Sequence, residues 1–255
     1  VNGPTIYLCE DVNKIALFCL QSLNIPSNLL NNLSSVINKN NEINKKIDQL
    51  QKSFEDILTR EDIKEKKLNN NKLPNEAIQI NNKIEILKQN INIVNIPEIY
   101  IPNTKDHMTK WNIKNCNNAF TSDISEFIIE QIMLIDDIDD MWKILLLLGI
   151  GVFSKHKSSK YTEIMKDLAI NKKLFLIIAT SDYIYGTNYQ FDHCYLGKDL
   201  TLMSSEKIIQ AMGRVGRNKI SDDYSVRLRD NEIIKKIFLE NINKIEVNNF
   251  NKLFS

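Results

Sequence analysis

The sequence predicts an α/β protein: a parallel sheet flanked by helices, with an antiparallel helical hairpin inserted into it. Two observations carry this prediction. Short apolar runs alternate with helical patterns in residues 1–27 and again from Gly149 onward, which is typical of βαβ units. The segment between them differs in composition. Six of the seven glycines fall between Gly149 and Gly216, and residues 28–139 contain none.

The composition is that of an ordinary globular protein and points away from several function classes. Of 255 residues, 43% are hydrophobic and 25% are charged, so a core can be built. The formal net charge of +1 gives no general attraction to nucleic acid or acidic membranes, so any such contact depends on local geometry. No stretch reaches the ~20 apolar residues of a membrane span, which predicts no membrane partner.

The four cysteines, Cys9, Cys19, Cys116 and Cys194, have neither C-x-x-C spacing nor a histidine at zinc-ligand spacing. We expect free thiols, no bound metal, and a reducing intracellular compartment, either cytoplasm or nucleus.

The first unit is a strand followed by a helix. Residues 5–9 are an apolar run, Asp11 is placed to cap the helix that follows, and Pro26 ends the unit. Because the strand begins almost at the first residue, we expect the chain to be part of a longer protein.

Residues 39–95 carry two stripes of apolar side chains at alternating spacings of three and four, typical of paired helices. The stripes are Ile43, Ile47, Leu50, Phe54 and Ile57, then Ala77, Ile80, Ile84, Leu87, Ile91 and Val94. The turn between them, with Pro74, is short, so the helices are predicted to pack antiparallel. The mixed charges on the hairpin favour a solvated face. Whether the hairpin also binds nucleic acid or a protein stays an open question.

The rest of the insertion is less regular. Residues 96–122 are predicted to be an irregular return linker. A helix is expected from Asp123 to Ile135, with Ser122 or Asp123 as its cap, and a second leads through Trp142. We therefore assign residues 28–139 to a helical insertion and linker, and residues 1–27 and 140–255 to the sheet lobe.

From Gly149 onward strands and helices alternate. The predicted strands are Ile150–Phe153, Leu174–Ala179, Cys194–Leu196 and Tyr224–Leu228, and the predicted helices are Tyr161–Ala169, Ser204–Met212 with Ser204 as N-cap, and Glu232–Leu239. The run from Leu174 is continuously apolar, so we expect a nearly fully buried central strand.

The strongest signal is a helix that ends in Gly-Arg-x-Gly-Arg, the octapeptide from Gln210 to Arg217. Its glycines let the helix end and bring backbone close to a partner. Arg214 and Arg217 stand three apart, so we expect both to point from one side of the last turn and to suit the oxygens of a phosphate chain. Gln210, one turn earlier, is placed to orient a water or a phosphate oxygen. The octapeptide resembles motif VI of superfamily-two helicases, Q-x-x-G-R-x-G-R.

A second signal follows the apolar strand, where Ala179-Thr180-Ser181 leads to Gly186-Thr187-Asn188. Hydroxyls at the carboxyl end of a parallel strand lie where α/β sheets bind ligands. The stretch resembles motif V of the same family, A-T-S/T-x-x-x-x-G-x-N/D, and Asn in the last place is typical of the DExH, Ski-like type. About 30 residues separate the two motifs, enough for one strand and one helix.

The resemblance implies a RecA-like C-terminal helicase lobe that completes an ATP site. It implies that Gln210, Arg214 and Arg217 are catalytic, with Arg217 as the arginine finger. Further implied contacts are Gly186, Asn188 and Gly213 with ATP, and Thr180 and Ser181 with single-stranded or duplex nucleic acid, DNA or RNA.

The motifs that bind Mg²⁺ and the triphosphate are absent from the sequence. No G-x-x-x-x-G-K-[ST] and no D-E-x-D/H occur, so Mg²⁺ is expected to be held mainly by an N-terminal lobe outside this chain, and the chain alone should not hydrolyse ATP. One alternative is a non-enzymatic adaptor built on a helicase-like lobe and a coiled hairpin. Another is a different phosphate-binding α/β enzyme, against which stands the lack of a glycine-rich loop after the first strand.

Overall fold

A computed structural model describes residues 2–59, 74–92, 96–113, 119–154, 158–184, 189–217, 223–238 and Lys252. Five parallel strands form one sheet in the order β2-β3-β1-β4-β5. They are β1 Thr5–Leu8, β2 Ile150–Phe153, β3 Leu176–Ala179, β4 His193–Leu196 and β5 Ser225–Leu228. The predicted α/β class with a helix-flanked parallel sheet is confirmed and is consistent with a RecA-like fold.

Nine α-helices lie in the described ranges. They are α1 Val12–Ser22, α2 Ser27–Thr59, α3 Asn75–Gln89, α4 Lys105–Lys110, α5 Glu126–Met133, α6 Asp140–Leu147, α7 Ser159–Ile170, α8 Ser205–Met212 and α9 Asn231–Phe238. Two 3₁₀ turns cover Glu98–Tyr100 and Ser181–Ile184. None of these helices has both the length and the apolar character that crossing a bilayer requires.

The central strand is shorter than predicted. Strand β3 begins at Leu176, because the N–H groups of Phe175 and Leu176 both donate to the Gly149 carbonyl, at 2.8 and 3.2 Å, before the ladder starts. Ile177 and Ile178 are buried, as expected for a strand between two parallel neighbours, but Phe175 and Leu176 are half-buried. The continuous apolar run therefore overstated both the length of the strand and its burial.

The order in which the chain forms the strands places helices on both faces of the sheet. The chain moves one way from β1 to β2 and the other way from β2 through β3 and β4 to β5. Right-handed crossovers then put α1 on one face and α7 and α8 on the other. Asp11 caps α1 as predicted, accepting from the Lys14 N–H at 3.0 Å.

The predicted antiparallel hairpin is present as α2 and α3. The Asn40 side chain, in the first half of α2, is hydrogen-bonded to the backbone of Asn92, beyond the end of α3. Further along α2, Ile47 and Gln51 line one cleft with Lys88 from the last turn of α3, so the helices run in opposite directions. The most buried members of the predicted stripes are Ile47, Ile57, Ala77 and Ile84, while Val94 lies outside the described residues.

The first hairpin helix is one continuous helix of 33 residues, and it starts at Ser27. Its first part belongs to the core of the sheet lobe, because Leu33 and Ile37 lie in the same buried cluster as the strands. The boundary between lobe and insertion at residue 28 stays a prediction. The packing shows that the root of the hairpin is built into the lobe.

The segment between the hairpin and α6 is more regular than predicted. The 3₁₀ turn Glu98–Tyr100 and helix α4 interrupt the expected irregular linker. Neither Ser122 nor Asp123 caps the next helix, which begins at Glu126 after Ser125. Asp123 is instead bound to Lys173, through its backbone N–H at 3.1 Å and an ion pair at 3.0 Å.

Candidate functional site

Thr180 and Ser181 follow β3 at the carboxyl edge of the sheet, the position that the sequence predicts. The chain turns at once into the 3₁₀ turn, in which the Tyr183 N–H donates to the Thr180 carbonyl at 3.1 Å. Thr180 is half-buried, whereas Ser181 is only 8% exposed. Thr180 is therefore the more accessible hydroxyl for a ligand at this edge.

Helix α8 runs from this edge toward the opposite edge of the sheet. Ser204 caps it as predicted and accepts from the Lys207 N–H at 3.3 Å. Ile208 and Ala211 are buried, whereas Gln210 is exposed on the other side of the helix. The Lys207 ammonium forms an ion pair at 3.0 Å with Asp182, so the start of α8 is tied to the turn that follows Thr180.

The two glycines of the octapeptide have different conformations. Gly213 caps α8 with φ −67°, an ordinary right-handed value, and a Cβ there would lie 3.4 Å from the nearest atom. Gly216 has φ +72°, and a Cβ there would lie 3.2 Å from the Tyr224 ring. The helix therefore ends at Gly213, as expected, but only at Gly216 does the backbone conformation require glycine.

The two arginines lie beyond the helix, not in its last turn as predicted, because α8 ends at Met212. A parallel bridge to Phe191 places them instead. The Phe191 N–H donates to the Arg214 carbonyl at 3.3 Å, and the Gly216 N–H donates to the Phe191 carbonyl at 3.1 Å. Phe191 is buried two residues before β4, so the arginine segment is anchored at the amino edge of the sheet.

The two guanidinium groups lie close enough to influence each other. Burial lowers the pKa of Arg214, and the positive charge of Arg217 lowers it further. Arg217 is exposed, and its Nε donates to the Gly213 carbonyl at 2.5 Å, which restricts the side chain. Two neighbouring positive groups, one of them restrained, suit an anion with several oxygens, such as a phosphate chain.

The predicted residues form two groups at opposite ends of α8. Thr180 and Ser181 lie beside its start, and Arg214 and Arg217 follow its end. Eight residues of helix span ~12 Å, so one small ligand is not expected to contact both groups. This separation fits two different ligands. Gly186 and Asn188 lie outside the described residues.

Sequence reasoning missed an aromatic cluster beside Thr180. The rings of Tyr183 and Tyr189 stack with centroids 5.5 Å apart, and Phe153 lies 3.9 Å from Tyr183 between ring centroids. Burial raises the pKa of Tyr183 far above its usual range, and Tyr189 adds to this. The stack joins the 3₁₀ turn that follows Thr180 to the segment that leads into β4. The density of tyrosines around Gly186 was the available signal.

The crevice between β1 and β4 is filled by the chain itself. Connections leave these two strands in opposite directions, which is where open α/β sheets commonly bind ligands. There the Asp199 carboxylate accepts from the N–H groups of Glu10 and Asp11, at 2.9 and 3.1 Å. Because these donors already hold an anion, this crevice is a poor site for phosphate, which argues against a different phosphate-binding enzyme.

Two further features lie outside the predicted site. A cleft of about 620 Å³ separates the hairpin root from α5 and α7, and none of the predicted site residues lines it. In the described ranges no three His, Cys, Asp or Glu side chains gather as metal ligands. Burial raises the pKa of Cys194 to about 12, and burial with Asp199 raises that of Cys9 to about 12, so neither thiol is a ready nucleophile at neutral pH.

Comparison of the sequence with protein-family models and with curated protein sequences gave no match. The similarity to superfamily-two helicases therefore rests on the two sequence motifs.

Proposed function

We propose that the chain is the C-terminal lobe of an ATP-dependent helicase or translocase acting on DNA or RNA inside the cell. The observation that carries the proposal is the division of the two motifs between the ends of α8. The Thr180 hydroxyl lies beside the start of this short helix. The neighbouring guanidinium groups of Arg214 and Arg217 follow its end. A motor needs this arrangement, because it must couple one nucleic-acid contact to one nucleotide contact.

The described residues fit a triphosphate at the arginine end. Arg214 and Arg217 would bind its charged oxygens, and Gly213 leaves its own backbone open to a neighbour because no side chain covers it. ATP supplies the phosphoryl group whose transfer drives the motor. In this account Arg217 meets charge that develops on that group, and Gln210 orients a water or an oxygen. Mg²⁺ would be held mainly by an N-terminal lobe, as would most of the triphosphate.

At the other end, Thr180 would hold the backbone of a single strand, with Ser181 behind it. The ion pair between Asp182 and Lys207 would transmit a shift of the strand-side turn to α8, and α8 carries the arginine segment at its end. Residues 28–139 would form an accessory hairpin, and the cleft at its root is where a protein partner would sit.

The test compares the full-length gene product with this chain alone. Full-length protein should hydrolyse ATP faster with single-stranded DNA or RNA, and the isolated chain should not turn ATP over. Thr180→Ala should weaken strand binding and the stimulation by nucleic acid more than the basal rate. A full-length protein without nucleotide turnover would reject the motor and make the non-enzymatic adaptor the better account.

A further inference from the structure

Half of the sheet has one apolar and one polar face. Along β1, β4 and β5 the apolar face carries Ile6, Leu8, Cys194, Leu196, Val226 and Leu228. The opposite face carries Thr5, His193 and Ser225 in one row, and Tyr7, Tyr195 and Arg227 in the next. Side chains alternate along a strand, so Arg229, two residues beyond Arg227, continues the polar face.

Thr5 and His193 of this face are buried, but its second row and Arg229 are open to solvent in the part of the chain that the structure describes. Arg227 and Arg229 are exposed, and Tyr7 and Tyr195 are half-buried. Parallel sheets normally have both faces covered by helices, so an open half is unusual and indicates a binding partner. We call these four residues the tyrosine–arginine face.

The side chains of the face form a ladder across three strands. The rings of Tyr7 and Tyr195 are 6.3 Å apart and within 15° of parallel, and the Arg227 guanidinium lies 5.5 Å from the centre of the Tyr195 ring. Burial raises the pKa of Tyr7, while the charge of Arg229 lowers it. Both arginines of β5 therefore lie on the same side of the paired aromatic rings.

The arginines are notable because this chain strongly prefers lysine. Of its 33 basic residues only five are arginine, and four of these lie between Arg214 and Arg229. The octapeptide accounts for two of the four. Arg227 and Arg229 are the remaining two, and arginine differs from lysine in its planar, forked donors and its ability to stack on rings.

Two of the acidic groups nearby already accept hydrogen bonds elsewhere. Asp199 caps the start of α1, and Asp223 accepts a hydrogen bond from Asn2 at 3.0 Å. Asp192, at the amino edge, lies against Gly3. None of the ion pairs in the described ranges involves Arg227 or Arg229, so both charges are available to an anionic partner.

We propose that the tyrosine–arginine face binds single-stranded nucleic acid, as a second contact surface separate from Thr180. Residues two apart on a strand are spaced by ~6.6 Å, so Arg227 and Arg229 can serve two different phosphates. Tyr195 and Tyr7 offer ring surface to bases or sugars, as in other sequence-tolerant single-strand platforms. A protein partner would have to bring acidic groups for both arginines, whereas a nucleic-acid strand carries them at every residue. This surface needs no ATP and does not rest on the proposed motor function.

The test measures binding of fluorescent oligo-dT and oligo-U of about 12 nucleotides to this chain over a range of salt concentrations. The double variant R227Q/R229Q should lower the slope of log K against log salt by about 1.4, since each phosphate contact on a single strand contributes about 0.7. The matched control K160Q/K166Q removes the same charge from exposed positions of α7, on the other face, and should bind like wild type. R227K/R229K should keep the slope but bind more weakly.

A second pair of variants separates stacking from charge. Tyr195→Leu should weaken binding roughly 5- to 100-fold without changing the salt slope, while Tyr195→Phe should stay near wild type. Urea unfolding of each variant shows whether the fold is kept.

Equal binding by R227Q/R229Q and the lysine control would overturn the proposal, and so would a wild-type chain that binds neither oligonucleotide at low salt. If instead Thr180→Ala leaves binding intact while the arginine variant loses it, this surface stands and the strand contact assigned to Thr180 fails.

Discussion

The sheet lobe and the helical hairpin are stabilised in different ways within one chain. In the lobe, buried Ile, Leu and Val side chains of the strands and helices form one continuous cluster. In the hairpin, that cluster reaches only as far as Ile37, and the distal buried residues Ile47, Ile57 and Ile84 lie outside it. Within the described residues the distal hairpin is therefore stabilised mainly by contacts between its two helices, and it should open before the lobe does.

The largest expected difference between the two regions is in core truncations. Ile37→Ala should lower the free energy of unfolding by ~2–5 kcal/mol, because Ile37 is fully buried in the shared cluster. Ile57→Ala should instead lose helical circular dichroism at a urea concentration where the fluorescence of Trp142, buried in the lobe, is unchanged. The Trp111→Phe background removes the other tryptophan signal. Coincident transitions in both variants would contradict separate stabilisation.

A smaller effect concerns a buried amide at the hairpin root. Asn40 is fully buried, donates to the Asn92 carbonyl at 2.8 Å and accepts from the Asn92 N–H at 3.1 Å. Asn40→Ala should cost ~1–3 kcal/mol in urea unfolding, because both bonds are lost at a buried position. Exposed Asn82 on α3 is the matched control, and Asn82→Ala should change stability by less than ~0.5 kcal/mol. Equal effects of the two substitutions would mean that the hydrogen bonds of Asn40 do not contribute measurably to stability.

In the lobe, His193 should make stability depend on pH. Burial lowers the pKa of His193, Asp192 and Asp223 oppose this, and Arg227 adds to it. The unfolded chain then binds more protons than the folded one, so the free energy of unfolding should fall as pH drops below ~6.5, by at most ~1.4 kcal/mol per pH unit. Urea titrations between pH 7.5 and 5.5 should show this fall, and His193→Gln should reduce it, leaving the contribution of His107, whose pKa burial also lowers. An unchanged pH dependence in that variant would exclude His193 as the cause.

The smallest effect distinguishes two ion pairs of equal length. Lys207–Asp182 joins two elements of the lobe and Lys88–Glu85 lies within α3, each at 3.0 Å. Double-mutant cycles should give ~0.2–1 kcal/mol for the lobe pair and ~0.3 kcal/mol or less for the helix pair, since both are solvated. A larger coupling energy for the helix pair than for the lobe pair would contradict the proposal that the Lys207–Asp182 ion pair connects the Thr180 turn to α8.

Local patterns predicted much of this molecule, and contacts between distant residues account for what they missed. Periodicity and a capping serine were enough for α8, and alternation was enough for β5. The position of Arg214 was predicted wrongly because it depends on a bridge to Phe191, which no helical spacing can reveal. The same holds for Asn40, which in an Asn-rich chain looks like compositional noise until its contact with Asn92 is known.

The hairpin shows the reverse case. Its stripes were identified residue by residue, yet the start of α2 was missed, although Leu29, Leu33, Val36 and Ile37 already have helical spacing among the asparagines and serines of the first turns. Those turns are helical since Leu33 and Ile37 pack into the lobe, so tertiary contact overrides weak local preference there.

We propose that Arg217 acts on ATP, and the most direct test of this role is steady-state ATP hydrolysis by the full-length protein with saturating single-stranded nucleic acid. Arg217→Ala should lower kcat by ~10³ or more while nucleotide affinity changes far less, because the contact is made to charge that develops in the transition state. Arg217→Lys should also fail, since an ammonium group cannot reproduce the forked contact. Lys166→Ala, exposed on α7, is the control and should be normal. Near-normal stimulated turnover in Arg217→Ala would contradict the assignment and leave the adaptor as the better account.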